Sequence, residues 1–341
     1  MTVLTGFDHL VDLTDRYGTF EHADHAHARR EHGYCVDDVA RVLLVASREP
    51  EPSPLVQELA RRSLRFLIGA QGVTGRSRNR RSVDGRWHGP PGVEDCWGRS
   101  LWALGTAAAQ RRGYHADSAL TYFHHAAQQR SAWPRAMAFA GLGAAAVADT
   151  DPRDRRARAL VSDAADLLDA LGADAIDEPP GWIWPEPRLT YANAALPEAL
   201  MAAGHTLDRP TLLDHGLELL RWLLDRETLD GHLSVTPVGG AGPSDAAPRF
   251  DQQAIEVASM ADACARAWRL TGDASWAQGV RLAGAWFDGA NDAGVVMWDP
   301  TTGGGYDGLE PHGANRNQGA ESTIALISTR QQVRLVPASA P

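Results

Sequence analysis

One type of helix start recurs along this chain and constrains its fold more than any other feature. Acidic, amide or aromatic residues stand just before long apolar runs six times, at Asp37, Glu94, Trp133, Tyr191, Asp251 and Asn317. Each run is apolar or small on nearly every face, which indicates a helix buried on all sides. Evenly spread buried helices whose polar ends gather together predict a closed ring with one polar mouth.

A second set of helices is predicted between these runs. Five amphipathic segments carry apolar residues at three- and four-residue steps and charges on the other face, as in helices packed on one side only. They cover residues 54–70, 116–129, 152–172, 209–225 and 273–289. The last buried run, which is expected to end near Ser328, has no such partner, whereas residues 6–18 have helical spacing.

These patterns predict an all-α fold, an (α/α)6 toroid of six inner and six outer helices. The N-terminal helix is expected to close the ring, and long Gly-, Pro- and Asp-rich loops are expected to rim one mouth. A chain of 341 residues can bury one large core. We expect one domain over residues 1–330 and a flexible C-terminal tail over 331–341.

Composition excludes several classes of partner and chemistry. The net charge of -10 argues against a nucleic-acid or anionic-membrane partner. No apolar run is long enough to span a membrane and no basic leader is present, so a cytoplasmic location is expected. The chain has no lysine, which excludes Schiff-base chemistry, pyridoxal phosphate and the lysine-bearing phosphate loop. We expect no cofactor and no metal.

Carboxylates at three helix starts are the candidate catalytic groups. Asp37 and Asp38 are adjacent, as are Glu94 and Asp95, and neighbouring helical residues point about 100° apart. One acid of each pair can therefore cap its helix while the other faces the ring axis. The candidates are Asp38, Glu94, Asp95 and Asp251, and capping alone is the alternative for each.

Candidate substrate-binding residues share hydrogen-bonding or aromatic side chains near the helix starts. Buried amides need partners, and sugar hydroxyls are natural ones, while exposed tryptophans can stack on sugar rings. The candidates are His22, Tyr34, Asp37, Trp87, His88, Trp97, Arg99, Trp184, Tyr191, Asn193, Gln252, Gln253, Glu256, His312, Asn317 and Glu321. Trp133 is predicted to be mainly structural. The arginine run at 76–86 is predicted to be a solvated loop and, if functional, indicates an anionic group on the substrate.

Several motifs together resemble the six-hairpin glycosidase-like superfamily, whose (α/α)6 toroids include inverting glycoside hydrolases, glycan phosphorylases and sugar epimerases. They are GYCVDDVAR, GRWHGPPGVEDCWGRSLWALG, WIWPEPRLTYANAALPEAL, FDQQAIEVA and NQGAESTIAL, and the resemblance covers roughly residues 5–330. It implies an active site where the inner helices begin and an oligosaccharide or glycoside substrate. It also implies a possible role beside glycosyltransferases or other sugar-handling enzymes.

The expected activity is glycoside hydrolysis by two carboxylates, with inversion favoured and a separation of about 6.5–9.5 Å. Glu94 or Asp95 would be the acid, and Asp251 or Asp38 the base. Three alternatives remain open. A sugar 2-epimerase would use facing histidines, a zinc-dependent toroid of the lanthionine-cyclase kind would use Cys35 and Cys96, and a glycan-binding ring would not catalyse.

Overall fold

Twelve helices occupy the part of the chain that the structure, a computed structural model, describes, namely residues 5–110, 114–171 and 181–338. They are α1 Gly6–Asp12, α2 Val36–Arg48, α3 Pro54–Ala70, α4 Asp95–Ala109, α5 Tyr114–Ala126, α6 Pro134–Thr150, α7 Arg155–Asp169, α8 Ala195–Leu207, α9 Pro210–Arg226, α10 Ala254–Thr271, α11 Ala274–Phe287 and α12 Ala320–Leu335. The even-numbered helices begin close to the polar starts read from the sequence.

The even-numbered helices form the inner ring. Each packs against the next, and α12 returns to pack against α2. Helices α3, α5, α7, α9 and α11 each pack outside the inner helix that precedes them in the chain, and α1 packs against α12. The predicted (α/α)6 toroid is therefore confirmed, including closure by the N-terminal helix.

The closing helix is shorter than the predicted 6–18. It ends at Asp12 because the following residues make a turn, in which the Asp15 side chain accepts hydrogen bonds from the backbone N–H groups of Tyr17 (2.8 Å) and Gly18 (3.3 Å). A side chain that binds its own downstream backbone in this way competes with helix continuation.

The last inner helix is longer than predicted. Residues 331–335 belong to α12, and Gln331 donates a hydrogen bond from Nε2 to the carbonyl of Val45 on α2 at 2.8 Å. The predicted boundary between domain and tail at residue 330 is therefore wrong for these five residues. Residues 339–341 lie outside the described part of the chain.

Short strands organise the loops between helices. Four small antiparallel sheets occur in the described ranges. Their strands are β1 Ala23–Asp24, β2 His27–Ala28, β3 Tyr34–Cys35, β4 Arg80–Arg81, β5 Trp87–His88, β6 Thr228–Leu229, β7 His232–Leu233, β8 Gly308–Glu310 and β9 Gly313–Asn315. Strand β4 pairs with both β3 and β5, so the loop after α3 lies beside the start of α2. None of the described helices is long and apolar enough to cross a membrane.

Glycines set the spacing between inner helices α4 and α6. A Cβ atom on Gly105 would overlap the backbone of Gly143, and one on Gly143 would overlap the backbone of Leu101. The helices therefore approach with backbone against backbone, which only glycine permits at these positions. Gly69 on outer helix α3 differs, because the nearest atom to its added Cβ is Trp87 Cζ2 at 3.7 Å, an ordinary contact.

Substitution of these two glycines by alanine should change the free energy of unfolding in opposite directions. Gly105→Ala should lower the free energy of unfolding by about 1–3 kcal/mol because it overpacks the α4–α6 contact. Gly69→Ala should raise it by up to about 1 kcal/mol, since alanine is the better helix former and its methyl group has room. Urea unfolding of both variants tests this, and equal effects would contradict the assigned packing.

Candidate functional site

A polar cavity of about 400 Å³ lies where the inner helices begin. Side chains from α2, α4, α10 and α12 and from the adjoining loops form its wall. The lining residues are Glu21, His22, Cys35, Asp37, Asp38, Arg41, Arg80, Asp95, Arg99, Tyr191, Gln253, Ala254, Ile255, Asp307, Gly319, Glu321 and Ser322. Six carboxylates and three guanidinium groups thus share one opening.

Arg41 connects two of these carboxylates. Its guanidinium lies 2.7 Å from Asp38 Oδ1, one turn earlier on α2, and 2.7 Å from Glu321 Oε2 on α12. Burial raises the pKa of Asp38 to about 7, even though Arg41 favours the ionised form. Burial also opposes ionisation of Glu321, but the charge and hydrogen bond of Arg41 and the other nearby positive charges together outweigh it and lower the pKa of that carboxyl. Two carboxylates on one cation therefore favour different protonation states.

Asp95 and Arg99 form a second group one helical turn apart on α4. Burial raises the pKa of Asp95, while the Arg99 charge and a hydrogen bond from the Tyr191 hydroxyl act against that shift. Arg99 Nε lies 3.6 Å from Asp37 Oδ1, and that oxygen is buried without a hydrogen-bond partner among the described residues. Hence Asp37, Asp95 and Arg99 combine charge with unused hydrogen-bonding capacity.

Possible metal ligands lie on one side of the cavity. Single ligand atoms from Glu21, Cys35 and Asp38 lie within 4.8 Å of one another. However, Arg80 already pairs with Glu21 and Arg41 with Asp38. Burial raises the pKa of the Cys35 thiol well above its usual value, which disfavours the thiolate that a metal needs. These residues fit a cation poorly.

Comparison with known proteins bears on the fold. No family model and no curated protein matches the sequence. Among solved structures, a sugar epimerase from a ruminal bacterium superposes with a TM-score of 0.73 at 11% identity, covering 98% of this chain and 97% of that one. Cellobiose 2-epimerase from Bacillus thermoamylovorans B4167 gives 0.70 at 12% identity, covering 98% and 95%.

A cellulase of C. cellulolyticum superposes over 93% of this chain and 87% of its own, with a TM-score of 0.63 at 8% identity. The chain shares the (α/α)6 toroid fold with these structures. At such low identities the likeness confirms the resemblance read from the motifs at the level of the toroid and its inner and outer helices.

Eight of the predicted site residues line the cavity of the toroid. They are His22, Asp37, Asp38, Asp95, Arg99, Tyr191, Gln253 and Glu321. All eight lie at or near the starts of inner helices or in the loop after α1, as the reading of helix starts predicted.

Two predicted catalytic residues lie outside this cavity. Glu94 is exposed, and its carboxylate lies against the backbone of Gly92. Asp251 is also exposed, and its carbonyl accepts a backbone hydrogen bond from Val238 at 2.9 Å. The structure therefore gives no support to Glu94 as the acid or Asp251 as the base.

The predicted aromatic binding residues are mostly part of the core. Tyr34, Trp97 and Trp184 are almost completely buried, and Trp97 donates a hydrogen bond to the carbonyl of Ala126 at 3.2 Å. Trp87 packs edge-on against Phe66 with ring centroids 4.9 Å apart. Trp97 belongs to the buried face of α4, and the other three side chains lie in the segments between helices, so a position in a loop or at a helix start did not indicate exposure.

Three predicted polar residues make hydrogen bonds within the protein instead of facing the cavity. Glu256 accepts hydrogen bonds from the backbone of Ala192 (2.6 Å) and Asn193 (3.3 Å), which fixes the segment that presents Tyr191. Asn193 Oδ1 in turn accepts from Thr190 N at 2.9 Å. Buried Gln252 accepts from Trp286 Nε1 at 3.3 Å.

The remaining three polar predictions lie away from the cavity wall. Asn317 Oδ1 accepts a hydrogen bond from the backbone of His25 at 3.0 Å. His88 in strand β5 and His312 between β8 and β9 are both exposed.

Several polar lining residues were not among the predicted catalytic or substrate-binding residues, namely Glu21, Cys35, Arg41, Arg80, Asp307 and Ser322. Arg41 had a signal, since an arginine three residues after Asp38 reaches the same helix face. Asp307 had none, because it comes from a loop and accepts from Gly319 N (2.8 Å) and Ser322 Oγ (2.7 Å) only in the folded chain.

The buried Glu256 should give the toroid a pH-dependent stability. Burial raises its pKa from 4.5 to about 7, so its contribution to stability is present below pH 4.5 and is lost as pH rises toward 7. Glu256→Gln removes this ionisation. Relative to wild type, the variant should gain stability between pH 5 and pH 8 in urea unfolding, with exposed Glu94→Gln as control. Parallel pH curves for wild type and Glu256→Gln would contradict the assignment.

Proposed function

We propose that this chain is a carbohydrate-active enzyme that hydrolyses glycosidic bonds with Asp95 as general acid and Glu321 as general base. The observation that carries the proposal is the pairing of opposite protonation preferences in one cavity. Asp95 has a raised pKa and Glu321 a lowered one, and both face the same space at the inner-helix starts. Hydrolysis of a glycoside requires one protonated and one ionised carboxyl group.

Asp95 has the properties of the acid. It is half-buried, and its burial raises its pKa above the usual value of an aspartate, as a general acid needs. The Tyr191 hydroxyl and the Arg99 charge then stabilise the carboxylate that remains after the proton moves to the leaving oxygen. The surroundings of Asp95 therefore shift it toward its protonated form before proton transfer and stabilise its ionised form afterwards.

Glu321 has the properties of the base. Arg41 holds its Oε2 at 2.7 Å and keeps it ionised. Its side chain is 43% exposed and lines the cavity. Oε1 has no hydrogen bond to any described residue, so it is free to orient a water molecule. If one water separates the two groups, the product anomer is inverted.

The remaining lining groups favour a neutral sugar over an anionic one. Arg41 and Arg80 are already paired with carboxylates of the protein. Asp37, Gln253 and His22 offer donors and acceptors suited to ring hydroxyls. The arginine run therefore contributes an internal ion pair through Arg80, which removes the sequence-based reason for an anionic substrate.

Epimerisation is the second candidate, because two of the superposed structures are sugar epimerases by name. An epimerase that shuttles protons between facing histidines needs two in the site. Among the described lining residues His22 is the one histidine. Its position beside several carboxylates supports hydrolysis over that mechanism.

Conservative substitutions of the two proposed catalytic groups should abolish turnover. Asp95→Asn and Glu321→Gln should each lower kcat by at least about 100-fold, as expected for loss of a general acid or base. Glu94→Gln, one residue from Asp95 but outside the cavity, should keep wild-type activity. The assay is release of reducing sugar from α- and β-linked gluco- and manno-oligosaccharides, with the product anomer read by proton NMR.

Two results would overturn this assignment. One is full activity of either cavity variant with a folded far-ultraviolet circular dichroism spectrum. The other is conversion of the reducing-end sugar into its 2-epimer with no new reducing end, which would establish epimerisation instead.

A further inference from the structure

Trp133 differs from every other tryptophan of the chain. The sequence has eleven, all within the described ranges, and ten are buried or half-buried. Trp133 is 60% exposed at the residue just before inner helix α6. Its indole makes no helix-capping hydrogen bond, and its backbone N–H donates to Ser131 Oγ at 3.1 Å. Because tryptophan is highly buried on average, a tryptophan with this exposure departs from the usual pattern.

The start of α6, which carries this tryptophan, contacts the cavity wall through Arg135. Arg135, two residues further along, places its guanidinium 4.9 Å from the ring centroid of Tyr191 and donates to the Tyr191 carbonyl. Arg135 is itself held by two hydrogen bonds to Glu186, at 2.7 and 2.8 Å. The Tyr191 hydroxyl reaches Asp95.

Tyr191 is also unusually open for a fixed aromatic residue. It is 46% exposed although Arg135 lies over its ring, so part of the ring remains accessible at the cavity wall. Asp95 and Tyr191 line the cavity, and Trp133 stands at the start of α6, the inner helix that packs between α4 and α8.

We propose that Tyr191 and Trp133 form an extended binding site for the sugar units on the leaving-group side of the substrate. This inference rests on the proposed function, because the general acid lies on the leaving-group side of the bond that breaks. Aromatic faces bind the apolar faces of pyranose rings, and a rigid two-angle side chain loses little entropy on binding. The preferred substrates are thus oligosaccharides with at least two units beyond the cleaved bond.

Binding can be measured without turnover in the Asp95→Asn background. The probes are α-1,4-gluco-, β-1,4-gluco- and β-1,4-manno-oligosaccharides of two to six units, titrated by isothermal calorimetry. Affinity should rise with length for at least one series. Trp133→Ala should weaken binding of the longer members about two- to tenfold, the range expected for one aromatic contact, and leave the shortest unchanged.

Two further variants separate stacking from general damage. Trp133→Phe keeps a flat ring and should retain most of the length dependence. Leu55→Ala removes another exposed apolar side chain, 54% exposed near the start of outer helix α3 and therefore far from the mouth, and should change nothing.

These measurements test the extended binding site separately from the hydrolase assignment. The extended site would be refuted if Trp133→Ala lost affinity equally for short and long sugars. It would also be refuted if none of the three series bound at a sugar concentration of about 10 mM, where even weak binding is detectable. Length-dependent binding through Trp133 in a protein that releases no reducing sugar would uphold the extended site and refute hydrolysis.

Discussion

The contact on which the rest of the structure depends is the closure between the first and last inner helices. Arg41 on α2 bonds Asp38 on its own helix and Glu321 on α12. Below it, apolar side chains from α1, α2 and α12 share one small core with α3: Leu10, Val42, Val45, Leu59, Ala320, Ile324 and Ile327. Without this contact between α2 and α12, the six inner helices would form an open arc. Within this contact the Asp38–Arg41 pair is buried on both sides, and loss of one partner from such a pair typically costs about 3–5 kcal/mol.

Closure also explains how so many carboxylates can share one cavity. In a ring of this kind the N-terminal ends of all inner helices point to the same mouth, and each end carries a partial positive charge. Three arginines add full charges beside them. The acids nevertheless differ, because Asp38 and Asp95 have raised pKa values from burial whereas Arg41 lowers that of Glu321. The contact between α2 and α12 thus stabilises the ring and also gives Asp38 and Glu321 different pKa values.

The sequence predicted the toroid because helical periodicity is a local property. Buried runs, amphipathic partners and a spare N-terminal segment are all visible without tertiary information. The ends of helices were less predictable. The first helix is shorter than expected because the Asp15 side chain stabilises a turn after it, and α12 is longer because Gln331 bonds to a carbonyl on α2. Both depend on partners that periodicity does not show.

The candidate site was only partly predictable for a related reason. Acids within the first turn of a helix, such as Asp38 and Asp95, reach the cavity by helix geometry. Glu94, one residue earlier, remains outside it. Exposure of tryptophans depends on which loop folds over which helix. Trp184 was expected to bind ligand and is buried, while Trp133 was expected to be structural and is exposed.

We propose that the inner-helix starts form one sugar-binding mouth with Asp95 and Glu321 on either side of the cleaved bond. A crystal structure of Asp95→Asn with a bound oligosaccharide would test this arrangement most directly. It should show a sugar ring in the cavity, with the glycosidic oxygen beside residue 95 and a water molecule between Glu321 and the anomeric carbon. Sugar bound beside Glu94 or Asp251, or on the outer helices with the cavity empty, would contradict it.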